Sequence, residues 1–168
     1  MNKRIKPLIL VVGKSGSGKD YIVDKICNDF NKSKVLSRTT RKPRFNNENT
    51  HLFVSKEQAD KEFNKSIAKT IFNGHRYYTL KEDLENADLY IIDRDGVYNM
   101  QNSEIKYKSV YLKVGLIKRI KNMRKRGDRV KNIISRLVND YVKFKGFKAD
   151  IKVSNTNELY SYFQNGAL

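Results

Sequence analysis

One stretch, LILVVGKSGSGKDYIVDKIC from Leu8 to Cys27, constrains this chain more than any other. Leu8, Ile9, Leu10, Val11 and Val12 form the short apolar run of a fully buried strand. Gly13, Lys14, Ser15, Gly16, Ser17, Gly18 and Lys19 then keep the spacing of a phosphate-binding loop: Gly, four residues, Gly, Lys. Glycines let such a loop turn its backbone N–H groups toward an anion, which bulky side chains prevent. Ile22, Val23, Ile26, Cys27 and Phe30 mark one stripe of the next helix, whose positive N-terminus faces the same anion. The residue after Lys19 is Asp20, where this loop ordinarily carries a Ser or Thr hydroxyl for Mg²⁺. A carboxylate is also a hard oxygen ligand, so Asp20 is expected to hold Mg²⁺ directly or through water, or to stabilise the helix dipole.

The remaining elements alternate. Lys34 to Ser37 reads as a second strand, followed by an irregular basic segment, Arg38 to Arg44, in which Pro43 excludes a helix interior. Ser55 with Gln58 forms a capping box, and so does Thr79 with Glu82. Leu89 to Ile92 and Ser109 to Val114 read as strands, the first ending in Asp93. Leu116, Ile120 and Met123 mark a helix. Val130, Ile133, Ile134, Leu137, Val138, Tyr141 and Phe144 recur at helical spacing through a longer one. A strand from Ile151 to Val153 and a last helix near Leu159 close the chain, with Asn155 and Glu158 as a further capping pair. The alternation predicts an α/β fold with a parallel sheet covered by helices, and 168 residues fit one domain.

No apolar run is long enough for a membrane span, and the lone Cys27 excludes an internal disulfide, so a cytoplasmic protein is expected. The formal net charge of +17 makes nucleic acid a partner to weigh. The basic residues are spread along the chain, however, and a cleft for two polyanions also needs positive charge, so nucleic-acid binding ranks below phosphate chemistry.

Taken together, the glycine loop, SRTTRKPR (Ser37 to Arg44) and the HLFVS that follows resemble the guanylate kinase family. The likeness continues through GHRYYTL (Gly74 to Leu80), IIDRDGV (Ile91 to Val97), RKRGD (Arg124 to Asp128), SRL (Ser135 to Leu137) and IKVSNTNEL. It implies a phosphate-loop kinase fold with a core of residues 1–36, 81–123 and 137–168, a small acceptor-binding lobe of 37–80 and a mobile lid of 124–136. It implies Mg²⁺-assisted transfer of the ATP γ-phosphoryl group to a nucleoside monophosphate, GMP or dGMP first. ATP is then expected on Gly13 to Asp20, with Asn155 near the adenine edge. Lys19, Arg41, Arg124, Arg126 and Arg136 are the expected catalytic set, since this chemistry asks for positioning and charge rather than a covalent nucleophile. Arg41, Arg44 and Tyr77 are expected to hold the acceptor's phosphate, and Ser37, His51, Thr79 and Asp95 to complete its site. Asp93 joins Asp20 as the expected carboxylate for Mg²⁺ and its waters. Arg119 and Arg136 also read as ordinary solvated arginines on helices.

The chain departs from the family at two positions of the acceptor site. Ala68 stands where the family has a guanine-reading Glu, and a methyl group cannot accept guanine's N–H donors. Tyr78 replaces a glycine and is expected to narrow the pocket. The SGSGKD loop and the Asn47 to His51 segment are also similar to ribose 1,5-bisphosphate phosphokinases, which gives a sugar-phosphate acceptor as the alternative. A catalytically inactive binding module is the least favoured reading, because the glycine loop is intact.

Overall fold

Leu8–Val12 forms β1, and all five of its residues are buried because the strand is covered on both faces. In the computed structural model, which describes residues 6–43, 46–72 and 74–168, β1 is flanked by parallel neighbours on both sides. These are β6 (Leu89–Ile91) and β7 (Tyr107–Leu112), and β8 (Ile151–Val153) pairs parallel on the far side of β7. The sheet order is therefore β6-β1-β7-β8. Alternate residues of β1 feed two separate cores. Ile9 and Val11 pack with Ile22, Val23 and Ile26 of α1 (Lys19–Asp29) and with Leu159 and Phe163 of α7 (Thr156–Gln164). Leu8, Leu10 and Val12 pack with Leu84 of α3 (Lys81–Leu84) and with Val97 and Met100 of α4 (Arg94–Met100).

A second, mixed sheet lies between α1 and α3 in sequence, in the order β3-β2-β5-β4. β2 (Arg38–Thr39) runs parallel to β3 (Leu52–Phe53) and antiparallel to β5 (His75–Thr79), which pairs in turn with β4 (Ala68–Phe72). α2 (Lys56–Glu62) packs beneath it, capped by Ser55, whose hydroxyl accepts from the Gln58 N–H at 3.1 Å. The Gln58 amide turns to Glu62 rather than completing a box.

Three local expectations change. The strand expected at Lys34 to Ser37 is reduced to a single bridge, Lys34 to Leu89, because the chain turns at once toward the second sheet, where the Ser37 carbonyl accepts from Leu52. Thr79 does not cap α3: it is a buried strand residue hydrogen-bonded to the Tyr90 hydroxyl, and Asp83 accepts from the Leu80 N–H instead. The third concerns α6 (Val130–Lys143), where only Ile133 of the seven expected apolar positions is fully buried, with Leu137 and Phe144 half-buried. Val130, Ile134, Val138 and Tyr141 lie along the other edge of the stripe and face solvent.

Candidate active site

The loop from Gly13 to Gly18 leaves the end of β1 and enters α1 through two left-handed glycines, Gly16 at φ 74° and Gly18 at φ 88°. A Cβ at Gly16 would also meet the Arg119 carbonyl at 2.5 Å, so only glycine fits there. The Lys19 ammonium curls back over the loop, donating to the Gly13 carbonyl at 2.6 Å and to Lys14 at 3.3 Å. Burial pushes it below the ordinary lysine value, opposed by the Asp20 and Asp140 carboxylates. The Ser17 hydroxyl is buried with no partner among the described residues. Asp20 is exposed in the first turn of α1 and makes no hydrogen bond or ion pair among them.

The loop opens into a cleft of about 310 Å³ whose far wall comes from the second sheet. Gly13, Ser15 and Lys19 line one side, and Ser37, His51, Ala68 and Tyr77 the other, with Asp93 and Arg136 also on the wall. His51 meets Tyr77 edge-on at 5.5 Å between ring centroids, and Thr50 hydrogen-bonds its Nδ1. Asp93 caps α4, accepting from the Gly96 N–H at 2.8 Å. Burial raises its carboxyl above the usual range, against that N–H and the Lys143 ammonium.

Other expected residues are placed differently. Arg41 lies beside the cleft, forked onto Glu48 at 2.8 and 3.2 Å. Glu48 also accepts from the Thr50 hydroxyl, and Arg41 Nε is buried with no partner among the described residues. Thr79 does not line the cleft, and its hydroxyl is occupied by Tyr90. Tyr78 does not narrow it either: its ring lies in the small lobe's interior, with the hydroxyl on Glu62 at 2.7 Å. Asp95 is bound by Lys143 at 2.8 Å. Asn155 caps α7 through its side-chain oxygen, accepting from Glu158 at 2.9 Å. Arg44 lies outside the described residues.

Among the expected lid arginines, Arg124 ends α5 (Leu116–Lys125) exposed, and Arg126 is paired with Asp128 in the turn that follows. Arg136 stacks its guanidinium over Phe72 at 5.7 Å, 3.8 Å from Asp128. Arg119 is not solvated: it is 5 % exposed and paired with Asp140. Between Lys113 and Lys148, the stretch that includes α5 and α6, there are 13 Lys and Arg against only Asp128 and Asp140. Sequence reasoning missed Glu48, whose partners Arg41 and Thr50 lie on the same connection, and Lys143 and Asp140, whose partners lie on distant elements.

For Mg²⁺, the donor set fits a cation that keeps several waters and takes one or two carboxylates plus phosphate oxygens. Asp20 offers a free carboxylate beside the loop, and Asp93 keeps one oxygen clear of its cap. Among the described residues there is no cluster of three or more acidic, His or Cys ligands, so a closed all-protein cage is not built here. No helix among them is long and apolar enough to cross a membrane.

Comparison with known proteins agrees with this architecture. No curated protein sequence matches the chain significantly. A guanylate kinase structure from Anaplasma phagocytophilum superposes at a TM-score of 0.61 with 20 % identity, covering 95 % of this chain and 83 % of that one. A structure of an uncharacterized protein from Eubacterium ventriosum superposes at 0.51 with 11 % identity, covering 96 % of this chain and 98 % of that one. A sequence model of guanylate kinase matches residues 4–155, and the chain therefore belongs to the guanylate kinase family of phosphotransferases.

Proposed function

We propose that the chain transfers the γ-phosphoryl group of ATP to a nucleoside monophosphate, with GMP or dGMP as the first acceptor to test. The observation that carries this reading is the shared cleft: Lys19 and the glycine loop face Ser37, His51 and Tyr77 across one cavity. Two phosphorylated substrates held on opposite walls are what in-line transfer requires. Lys19 is then released from the Gly13 carbonyl to follow the moving phosphoryl group and offset the charge that develops on it. Glu48 fixes both terminal guanidinium nitrogens of Arg41, which holds that positive charge beside the cleft for the acceptor's phosphate. Arg124, Arg126 and Arg136 supply further positive charge when residues 124–136 close and exclude water. Asp20 and Asp93 would hold Mg²⁺, which when bound would neutralise charge on the phosphate oxygens.

A second reading, a sugar-phosphate acceptor with no base, is favoured by a specific feature of the far wall. Ala68 lines the cleft where a carboxylate would read guanine, Thr79 is turned away, and Asp95 is already paired with Lys143. A coupled ADP-release assay across the nucleoside monophosphates, their deoxy forms and ribose 1,5-bisphosphate tests both. Turnover of GMP and dGMP supports the first reading. Turnover of the sugar bisphosphate alone replaces it, and no ADP release with any acceptor removes both.

A further inference from the structure

Every polar group of Ser15, in the middle of the phosphate loop, is held from α5 and α6. Its N–H donates to Asp140 Oδ2 at 2.9 Å and its hydroxyl to Asp140 Oδ1 at 3.3 Å. Its carbonyl accepts from Arg119 Nε at 2.8 Å, and the Arg119 fork closes the ring onto Asp140 Oδ2. One residue on, the Gly16 carbonyl accepts from the Asn122 amide at 2.8 Å. Both charged side chains are buried, at 6 % and 8 % exposure. An arginine and an aspartate taken out of water are costly to keep, and here each spends its hydrogen bonds on the same loop residue. A pair that served only to join α5 to α6 would not need Ser15 at all.

The helices concerned are those that carry the lid arginines. Arg119 lies five residues before Arg124 on α5, and Asp140 one turn after Arg136 on α6. We propose that Arg119 and Asp140 are positioning residues that set the pose of the phosphate loop and index it against the arginines of α5 and α6. The Ser15 N–H is thereby withdrawn from anion binding, the Ser17 N–H already donates to the Lys14 carbonyl at 3.2 Å, and the loop's phosphate is taken by the N–H groups of Gly16, Gly18 and the start of α1. The bases of α5 and α6 are thereby fixed on the loop, so the arginines of residues 124–136 close on a triphosphate from a set starting position.

What the loop holds rests on the phosphoryl-transfer reading; whether the clamp fixes the loop does not. The test uses the full chain carrying R119M and D140L together, since replacing both charges by apolar side chains of similar size leaves no buried unpaired ion. D140N is measured beside it, because it keeps an oxygen for the Ser15 N–H while leaving Arg119 without its counter-charge. In ligand-free protein, amide exchange over residues 13–18 is expected to be tenfold or more faster in the double variant, with β1 and α7 unchanged. Binding of a fluorescent ATP analogue is expected to weaken at least tenfold and kcat to fall, while the acceptor's KM stays within twofold. D140N falls between wild type and the double variant in both measurements.

A folded double variant with wild-type loop exchange and wild-type ATP affinity overturns the proposal. So does an equal loss of ATP and acceptor affinity accompanied by a lower melting temperature, which is the signature of a merely structural pair. If wild-type protein binds no ATP, the phosphoryl-transfer reading fails, and the loop exchange alone then supports or overturns the clamp.

Discussion

The Lys143 ammonium lies 2.8 Å from Asp95 Oδ2 and 3.9 Å from Asp93 Oδ2, reaching both from α6 across the mouth of the cleft. It neutralises Asp95, the carboxylate expected from the family resemblance at the acceptor's base. Guanine's N1–H and N2–H₂ seek a free acceptor, and a carboxylate already bound to an ammonium is a poorer one. Replacing Lys143 with Met is expected to raise the kcat/KM preference for GMP over AMP by about tenfold, the range expected for one polar contact in such a pocket. The ratio measured in wild type and variant checks this; an unchanged ratio takes Asp95 out of base recognition.

Glu48 is the side chain on which Arg41 depends. Its carboxylate is only 1 % exposed, beside an arginine at 11 %, and it also accepts from Thr50 at 2.7 Å. Removing one partner of a buried pair leaves the other charge without compensation. Glu48→Ala is therefore expected to cost about 3 kcal/mol of stability, by urea unfolding. In the enzyme, acceptor KM is expected to rise about tenfold with little change in KM for ATP, at roughly 1.4 kcal/mol per tenfold. An equal rise in both would mean that Glu48 supports the whole fold rather than Arg41.

The central strand, the glycine loop and the helices marked by a cap or an apolar stripe were legible in the sequence because each rests on local spacing, whereas α4 was not expected. Leu8 to Val12 is buried as its composition requires, and Gly16 and Gly18 take the left-handed conformations a phosphate loop demands. What the sequence hid was pairing across distance. Asp140 is 125 residues from Ser15, Lys143 is 48 from Asp95, and nothing in local periodicity ties them together. The apolar positions of α6 misled for a related reason. Helical spacing shows that a stripe exists, but Val130, Ile134 and Val138 need an opposing surface to become core, and the fold leaves them in solvent. Thr79 was drawn into the acceptor site and into a capping box by its neighbours in sequence, while strand alternation turned it toward Tyr90.

Asp93 provides a pH test with a definite sign. Burial raises its carboxyl in the folded protein, so the native state holds this proton to higher pH than the unfolded chain does. Stability should then fall as pH rises from the unfolded carboxyl range through the folded value, with the full penalty present above it. Asp93→Asn keeps an oxygen for the Gly96 N–H, because asparagine is an equally good helix cap. Melting temperatures from pH 3 to 8 are expected to show the variant gaining on wild type as pH rises through that window, while its Mg²⁺-dependent turnover falls. A constant difference between the two curves would remove Asp93 as the titrating group.

Lys19 and Asp20 adjoin at the start of α1, yet their substitutions should report different things. The Lys19 ammonium is bound to the carbonyls of Gly13 and Lys14, and its charge is needed where negative charge develops during transfer. Lys19→Ala is expected to fold and to lose turnover by about 10²- to 10³-fold, the scale for removing one such electrostatic donor. Asp20 is exposed and makes no hydrogen bond or ion pair among the described residues, so its removal should leave the melting temperature nearly unchanged. Its carboxylate is nevertheless a hard oxygen ligand directly after the loop, and it adds negative charge that a cation offsets. In Asp20→Ser the hydroxyl is a weaker, neutral ligand, and half-maximal activity is expected to need several times more Mg²⁺ than in wild type. Magnesium titrations at saturating ATP check this directly, with Lys19→Ala as the control whose Mg²⁺ midpoint stays fixed while its rate collapses. If Asp20→Ser has the wild-type midpoint, Asp20 acts only as a helix-end charge, and Asp93 remains as the metal carboxylate.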